Sequence, residues 1–170
     1  MTKLLKRIAT LPFSGVTPRL ALHLDLLRYC KRQGWPRLAL LVTNRMQRKF
    51  GVFISPRAGL SETVRFPHPA GIVIGDGVAI GEGVVIYQNV TIGGARVGDL
   101  ERNHYPQIGD GSVVFAGAVI IGKVRIGRNC VIGANSVVLT DLPDDSTAVG
   151  APARILRCGP AADLPRKGWR

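Results

Sequence analysis

Residues 72–93 read IVIGDGVAIGEGVVIYQNVTIG, and an isoleucine stands at every sixth place: Ile74, Ile80, Ile86 and Ile92. The spacing resumes at Ile108 and runs through Val114, Ile120, Ile126, Ile132 and Val138, so every position in both series is Ile or Val. The residue four places on is small or β-branched, as at Val78, Val84, Val90, Ser112, Ala118, Val124, Cys130 and Ser136. Neither the period of a helix, about 3.6 residues, nor the alternation of a sandwich strand produces this repeat. One short strand plus one turn does, with the aliphatic pointing inward, glycine giving the bend its backbone freedom, and three units closing one coil.

On the N-terminal side Ile54, Leu60 and Phe66 keep the spacing, but eight residues separate Phe66 from Ile74 and sixteen separate Ile92 from Ile108. The surpluses, two and ten, leave the coil as loops. The first lies around 67–70 and holds His68; the second spans 94–106 and holds His104. Each coil buries its aliphatics only against its neighbours, so both ends need covers. At the N-terminal end Thr17 and Pro18 predict a capped helix start and Gly34 a stop, with Leu20, Leu24 and Leu27 on one face. A second helix is expected from Pro36 to Phe50, with Leu38, Leu41 and Val42 apolar, ending at Gly51. The expected organisation is a short basic helical region over 1–51, a mainly β domain over 52–157 coiled as a parallel β-helix with the extended loop 94–106, and a loose basic tail over 158–170.

The 170 residues suit one domain, and a hydrophobic content of 46% excludes a disordered chain. Glycine and proline together make about a fifth of the chain without a collagen period. No apolar run reaches the roughly 18 residues of a spanning helix, and Lys3, Lys6 and Arg7 are not followed by the apolar core of a signal peptide, so a cytoplasmic protein is expected. Cys30, Cys130 and Cys158 stand far apart, which suggests neither a disulfide framework nor a zinc site. Charge is segregated: residues 1–57 hold 12 Lys/Arg against one acid, 58–150 hold six against nine, and 151–170 hold five against one. The basic ends are suited to phosphate, an acidic polymer or an anionic membrane surface, with peripheral contact at the inner face of the membrane. No nucleic-acid partner is expected, because aromatics are only 6% and no helix-turn-helix, RRM or zinc pattern is present.

Four ordered stretches carry a resemblance: PHPAGIVIGDGVAIGEGVVI (67–86), NVTIGG (89–94), PQIGDGSVVFAGAVIIG (106–122) and IGANSVVLTDLPDDSTAVGAPARIL (132–156). The chain resembles the left-handed β-helix acyltransferases of the hexapeptide-repeat class, and from about residue 28 to 156 it is similar to the serine acetyltransferases and their polysaccharide O-acetyltransferase relatives. The resemblance implies acetyl transfer from acetyl-CoA to a hydroxyl by direct attack, without a metal, in a homotrimer with active sites in grooves between coiled domains. His68 matches the catalytic histidine, and an alcohol does need a base poised near neutral pH. His104 resembles a second site histidine, although Tyr105 intervenes before the proline. Ala116, Gly117, Gly133 and Ala134 match positions lining the pantetheine arm. Gly93 and Gly94 are suited to present a backbone N–H to the thioester oxygen, and Arg154 and Lys123 are candidates for the CoA phosphates.

Two departures bear on the acceptor. In VFISPRA (52–58) the place of the carboxylate that orients the base is taken by Phe53, and Pro67 stands where serine acetyltransferases carry an aspartate before the histidine. The N-terminal helical region also reads as reduced and basic. An ammonium would be left without a partner carboxylate, so the expected acceptor is a sugar, polysaccharide or glycan precursor. Serine, with a role in cysteine biosynthesis, is the alternative, and Glu62, Glu82 or Glu101 are the acids able to restore the missing charge. A catalytically dead scaffold and a zinc-dependent β-helix carbonic anhydrase are rival readings; the latter needs three ligating histidines. Among the three histidines His23 falls in the first helix, leaving only His68 and His104 in loops.

Overall fold

The computed structural model describes residues 15–96, 99 and 104–158. The expected tail lies outside these residues but for the backbone of Cys158, as do Lys3, Lys6, Arg7 and Glu101.

The hexapeptides form a prism of five coils with three flat faces. Face A stacks β1 (Val52–Ile54), β3 (Ile72–Ile74), β6 (Thr91–Gly93), β9 (Val119–Ile121) and β12 (Val137–Val138). Face B stacks β2 (Gly59–Leu60), β4 (Ala79–Ile80), β7 (Gln107–Ile108) and β10 (Arg125–Ile126). Face C stacks β5 (Val85–Ile86), β8 (Val113–Val114), β11 (Val131–Ile132) and β13 (Ser146–Val149), closed by β14 (Arg154–Cys158). All pairings are parallel except β13 with β14.

The period explains the register. Ile54, Ile74, Ile92, Ile120 and Val138 pair in sequence down face A, so each repeating aliphatic sits on the one a coil below. All five are essentially inaccessible, and the small residues of the repeat, Val78, Ala118 and Ser136 among them, are buried at the turns between faces. Each fully buried Ile or Val contributes about 1.5–3 kcal/mol, and the stack repeats that contribution coil after coil.

Two helices cap the first coil. Helix α1 (Val16–Arg32) buries Leu20, Leu24, Leu27 and Cys30; α2 (Pro36–Phe50) buries Ala39, Val42, Thr43 and Met46 and ends at Gly51 in the left-handed region, φ 64°. Polar ties fasten the pair to the coil, with Arg28 donating to the Ser61 carbonyl at 2.8 Å and Thr43 to that of Ile54 at 3.0 Å. Three details differ from the sequence reading. Thr17 does not cap α1, whose N-cap is Gly15 without a side-chain bond; its hydroxyl instead donates to the Pro67 carbonyl at 3.4 Å. Leu38 and Leu41 face outward, because the arc of α2 turned to the core is centred on Val42 and Met46. Arg154–Cys158 form an antiparallel strand, which no hexapeptide spacing announces.

Candidate active site

The two surpluses leave the prism at different corners. The loop with His68 joins face C to face A between the first and second coils. The loop with His104 joins face A to face B within the third. Within one chain, therefore, face A lies between the two histidines.

At the C-to-A corner the backbone of His68 is confined from both sides. Pro67 fixes its own φ, Pro69 disfavours the helical region for His68, and the His68 carbonyl accepts the Ala70 N–H at 2.9 Å. The imidazole is exposed, with its centroid 6.1 Å from the Tyr87 ring; Tyr87 in turn stacks on Phe115 at 5.2 Å and 9°. Burial raises the Tyr87 hydroxyl above its usual range, opposed by Arg65. The same corner continues upward through Ala116 and Gly117 in the third coil and Gly133 and Ala134 in the fourth. Small side chains there leave a shallow, half-exposed strip of backbone. Arg154 is exposed just past this corner in the fifth coil.

The A-to-B corner gathers Gly93, Gly94, His104 and Lys123. Gly122, beside Lys123, donates its N–H to the Gly93 carbonyl at 3.0 Å. The structure thus separates these four from Ala116, Gly117, Gly133, Ala134 and His68, which one strip on the sequence did not reveal. Asp99, missed by the sequence reading, is buried beside His104: its Oδ1 lies 3.8 Å from His104 Nδ1, and its Oδ2 accepts the N–H groups of Ala95 and Arg96 at 2.7 Å each. The Arg96 N–H is the foremost cause holding the Asp99 carboxyl below its usual range, against desolvation and with help from Ala95, His104 and the Arg96 charge. Asp99 stays ionised at neutral pH and sets a negative charge beside the His104 ring.

A second acid enters from an unforeseen side. Asp76, on the coil above Phe53, lines with Phe53, Gly94, Arg96 and Tyr105 a cleft of about 480 Å³. Its Oδ1 accepts a short hydrogen bond from the Ser55 hydroxyl, and its Oδ2 lies 3.7 Å from Arg57. Tyr105 lies over Gly77, so the residue inserted before the loop proline forms a wall of this cleft. Neither Glu62, ion-paired with Arg32 at 3.8 Å, nor Glu82, at the B-to-C turn, lines the cleft. Among the described residues no group of three or more His, Cys, Asp or Glu is arranged to hold a metal ion, and no helix is long and apolar enough to cross a membrane.

Residues 105–140 match the family model for the bacterial transferase hexapeptide, six repeats. The serine acetyltransferase of Haemophilus influenzae is 38% identical over 137 residues, 81% of this chain and 51% of that protein. A solved serine acetyltransferase in complex with CoA has a TM-score of 0.72 at 36% identity, over 79% of this chain and 55% of that one. Soybean serine acetyltransferase complexed with serine has a TM-score of 0.71 at 40% identity, over 76% and 53%. The fold is the expected left-handed β-helix with a short N-terminal helical region. The chain spans about half the length of the relatives it matches.

Proposed function

We propose that this chain, similar to the hexapeptide-repeat transferases, is an acetyl-CoA-dependent O-acetyltransferase that acetylates the hydroxyl of L-serine, with His68 as general base. The observation that carries the reading is the C-to-A corner, where an exposed imidazole on a proline-locked turn shares one edge with the small residues at 116–117 and 133–134. The strip suits a thin acyl-pantetheine arm, with Arg154 on its far end for phosphate. His68 takes the proton from the serine hydroxyl as its oxygen attacks the thioester carbon. The backbone N–H of Gly93 or Gly94 meets the developing oxyanion, and the C–S bond breaks to release CoA.

Because Gly93, Gly94, His104 and Lys123 stand on the other corner, the reading includes a homotrimer in which the A-to-B corner of one subunit meets the C-to-A corner of its neighbour. The sequence alone favoured a glycan because no carboxylate was evident for an ammonium. Asp76 and Asp99 on the A-to-B corner weaken that objection, and the relatives favour serine over glycan. The exposed Leu38, Leu40 and Leu41 of α2, beside Arg37, Arg45 and Arg48, support a contact with an anionic membrane surface, tested by sedimentation with anionic but not neutral vesicles.

The decisive experiment is CoA release from acetyl-CoA with L-serine and, separately, with sugar acceptors. Saturable release with serine is expected; release only with sugars would return the acceptor to the glycan class. Replacing His68 with Ala should lower turnover by roughly 10² to 10⁴ while acetyl-CoA binding is kept. Unchanged turnover would move the base to His104, which already has an acid beside it.

A further inference from the structure

We infer that Tyr87 is a positioning residue for the imidazole of His68, its ring doing the orienting that a carboxylate would do if residue 53 were acidic. The inference rests on the reading of His68 as the base. Among the described residues no carboxylate is ion-paired or hydrogen-bonded to His68, and the acids that the fold does bring near a histidine or near Phe53, Asp99 and Asp76, lie on the other corner of the same chain, where the proposed trimer turns them to the acceptor's ammonium. What His68 has instead is a stiff backbone and a wall.

The backbone is set by Pro67 and Pro69, by the Ala70 N–H on the His68 carbonyl, and by Thr17, which ties the Pro67 carbonyl to α1. The side-chain torsions remain to be restricted, and the Tyr87 ring, 6.1 Å away and tilted by 44°, is the aromatic surface against which they turn. Tyr87 is itself held. Its amide bonds to the Val114 carbonyl at 3.0 Å, and Phe115 takes the equivalent place one coil on, bonded to Ile132 at 2.9 Å. Their rings are therefore stacked by the β-helix register, at 5.2 Å and nearly parallel. Phe115 occupies one face of Tyr87 and so prevents it from swinging away from His68, and at Gly133 the ring column stops. The rings end where the small-residue strip begins.

The test compares Tyr87→Leu, Tyr87→Phe and Phe115→Leu in the full chain, with acetyl-CoA and L-serine. Tyr87→Leu should lower kcat by about tenfold or more, with KM for acetyl-CoA within about twofold of wild type. Tyr87→Phe should restore kcat, because the ring and not the hydroxyl does the holding, and Phe115→Leu should fall between. A role confined to packing would lower Tm and leave kcat per folded enzyme unchanged, which would overturn the inference, as would a Tyr87→Phe variant as slow as Tyr87→Leu. A reading independent of turnover is the imidazole proton resonance assigned through His68→Ala: its ring-current shift should vanish in Tyr87→Leu and persist in Tyr87→Phe, and a Tyr87→Leu resonance that stays at the wild-type position would overturn the contact. If His68→Ala abolishes turnover while Tyr87→Leu runs at the wild-type rate, the positioning role fails alone. If His68→Ala keeps turnover, the base assignment fails and this inference with it.

Discussion

At single residues, the structure gives its two loop histidines opposite kinds of support. His68 leans on a ring, whereas His104 has the Asp99 carboxylate, itself gripped by two backbone amides. That grip has a sign in pH. The Asp99 carboxyl lies below its ordinary value of 3.8 in the folded chain, so its ionisation stabilises the fold fully above about 3.8, and the stabilisation is lost as pH falls through the lower folded value. Asp144, held by the backbone N–H and guanidinium of Arg128, has the same sign. The Tm difference between wild type and Asp99→Asn should therefore be constant from about pH 7 to pH 5 and shrink steadily below about 3.8. A difference that grew on acidification would contradict the assigned cause. If the Asp99 charge also bears on the reaction, turnover at neutral pH should fall in the same variant with its fold intact.

At the level of strands and turns, the corners follow a rule that the repeat only half displays. On the C-to-A corner Gly71 and Gly117 alternate with Asn89 and Asn135, all four at positive φ. A Cβ added to Gly117 would run into the Asn135 amide oxygen and would also sit at φ 72°, where an L side chain is strained. Gly117→Ala should destabilise the coil by about 1–3 kcal/mol, read as a lower midpoint in denaturant. Gly93 is the contrast: nothing lies within 4 Å of an added Cβ, so Gly93→Ala should fold normally, and any loss of turnover would be assigned to the reaction. What the sequence displayed was the inward column, because Ile and Val recur there without a break. What it hid were neighbours across coils whose spacing carries a loop surplus. Phe53 and Val73 pair at a separation of twenty residues rather than eighteen, which is why Asp76 beside Phe53 was invisible. Tyr87 and Phe115 are 28 apart because the ten-residue surplus lies between them, so no period joins the two rings. Strand β14 carries no repeat, so its antiparallel return at the end of the coiled domain was not legible.

Across the whole molecule, the prism shows chemically different faces to its surroundings. The outward residues of face A are Phe53, Val73, Thr91, Val119 and Val137, in register from coil to coil, whereas face B turns out Gly59, Ala79, Gln107 and Arg125. Val73 is 41% exposed, an apolar side chain on the second strand of a flat and largely apolar face. The two candidate corners are the edges of that same face, so a neighbour packed against face A covers the apolar column and brings a His104 corner to a His68 corner in one step. A homotrimer does this with three equivalent, heterologous contacts that close on themselves. Light scattering after gel filtration should give roughly three times the 18.3 kDa protomer mass. Val73→Glu places a charge where the protomer is already open to water, so each chain should still fold, while the buried charge should split the trimer and remove turnover together. Val73→Glu protomers that turn over acetyl-CoA as fast as the wild type would show that one chain holds the whole site, and the division of the histidines between two corners would then need another explanation.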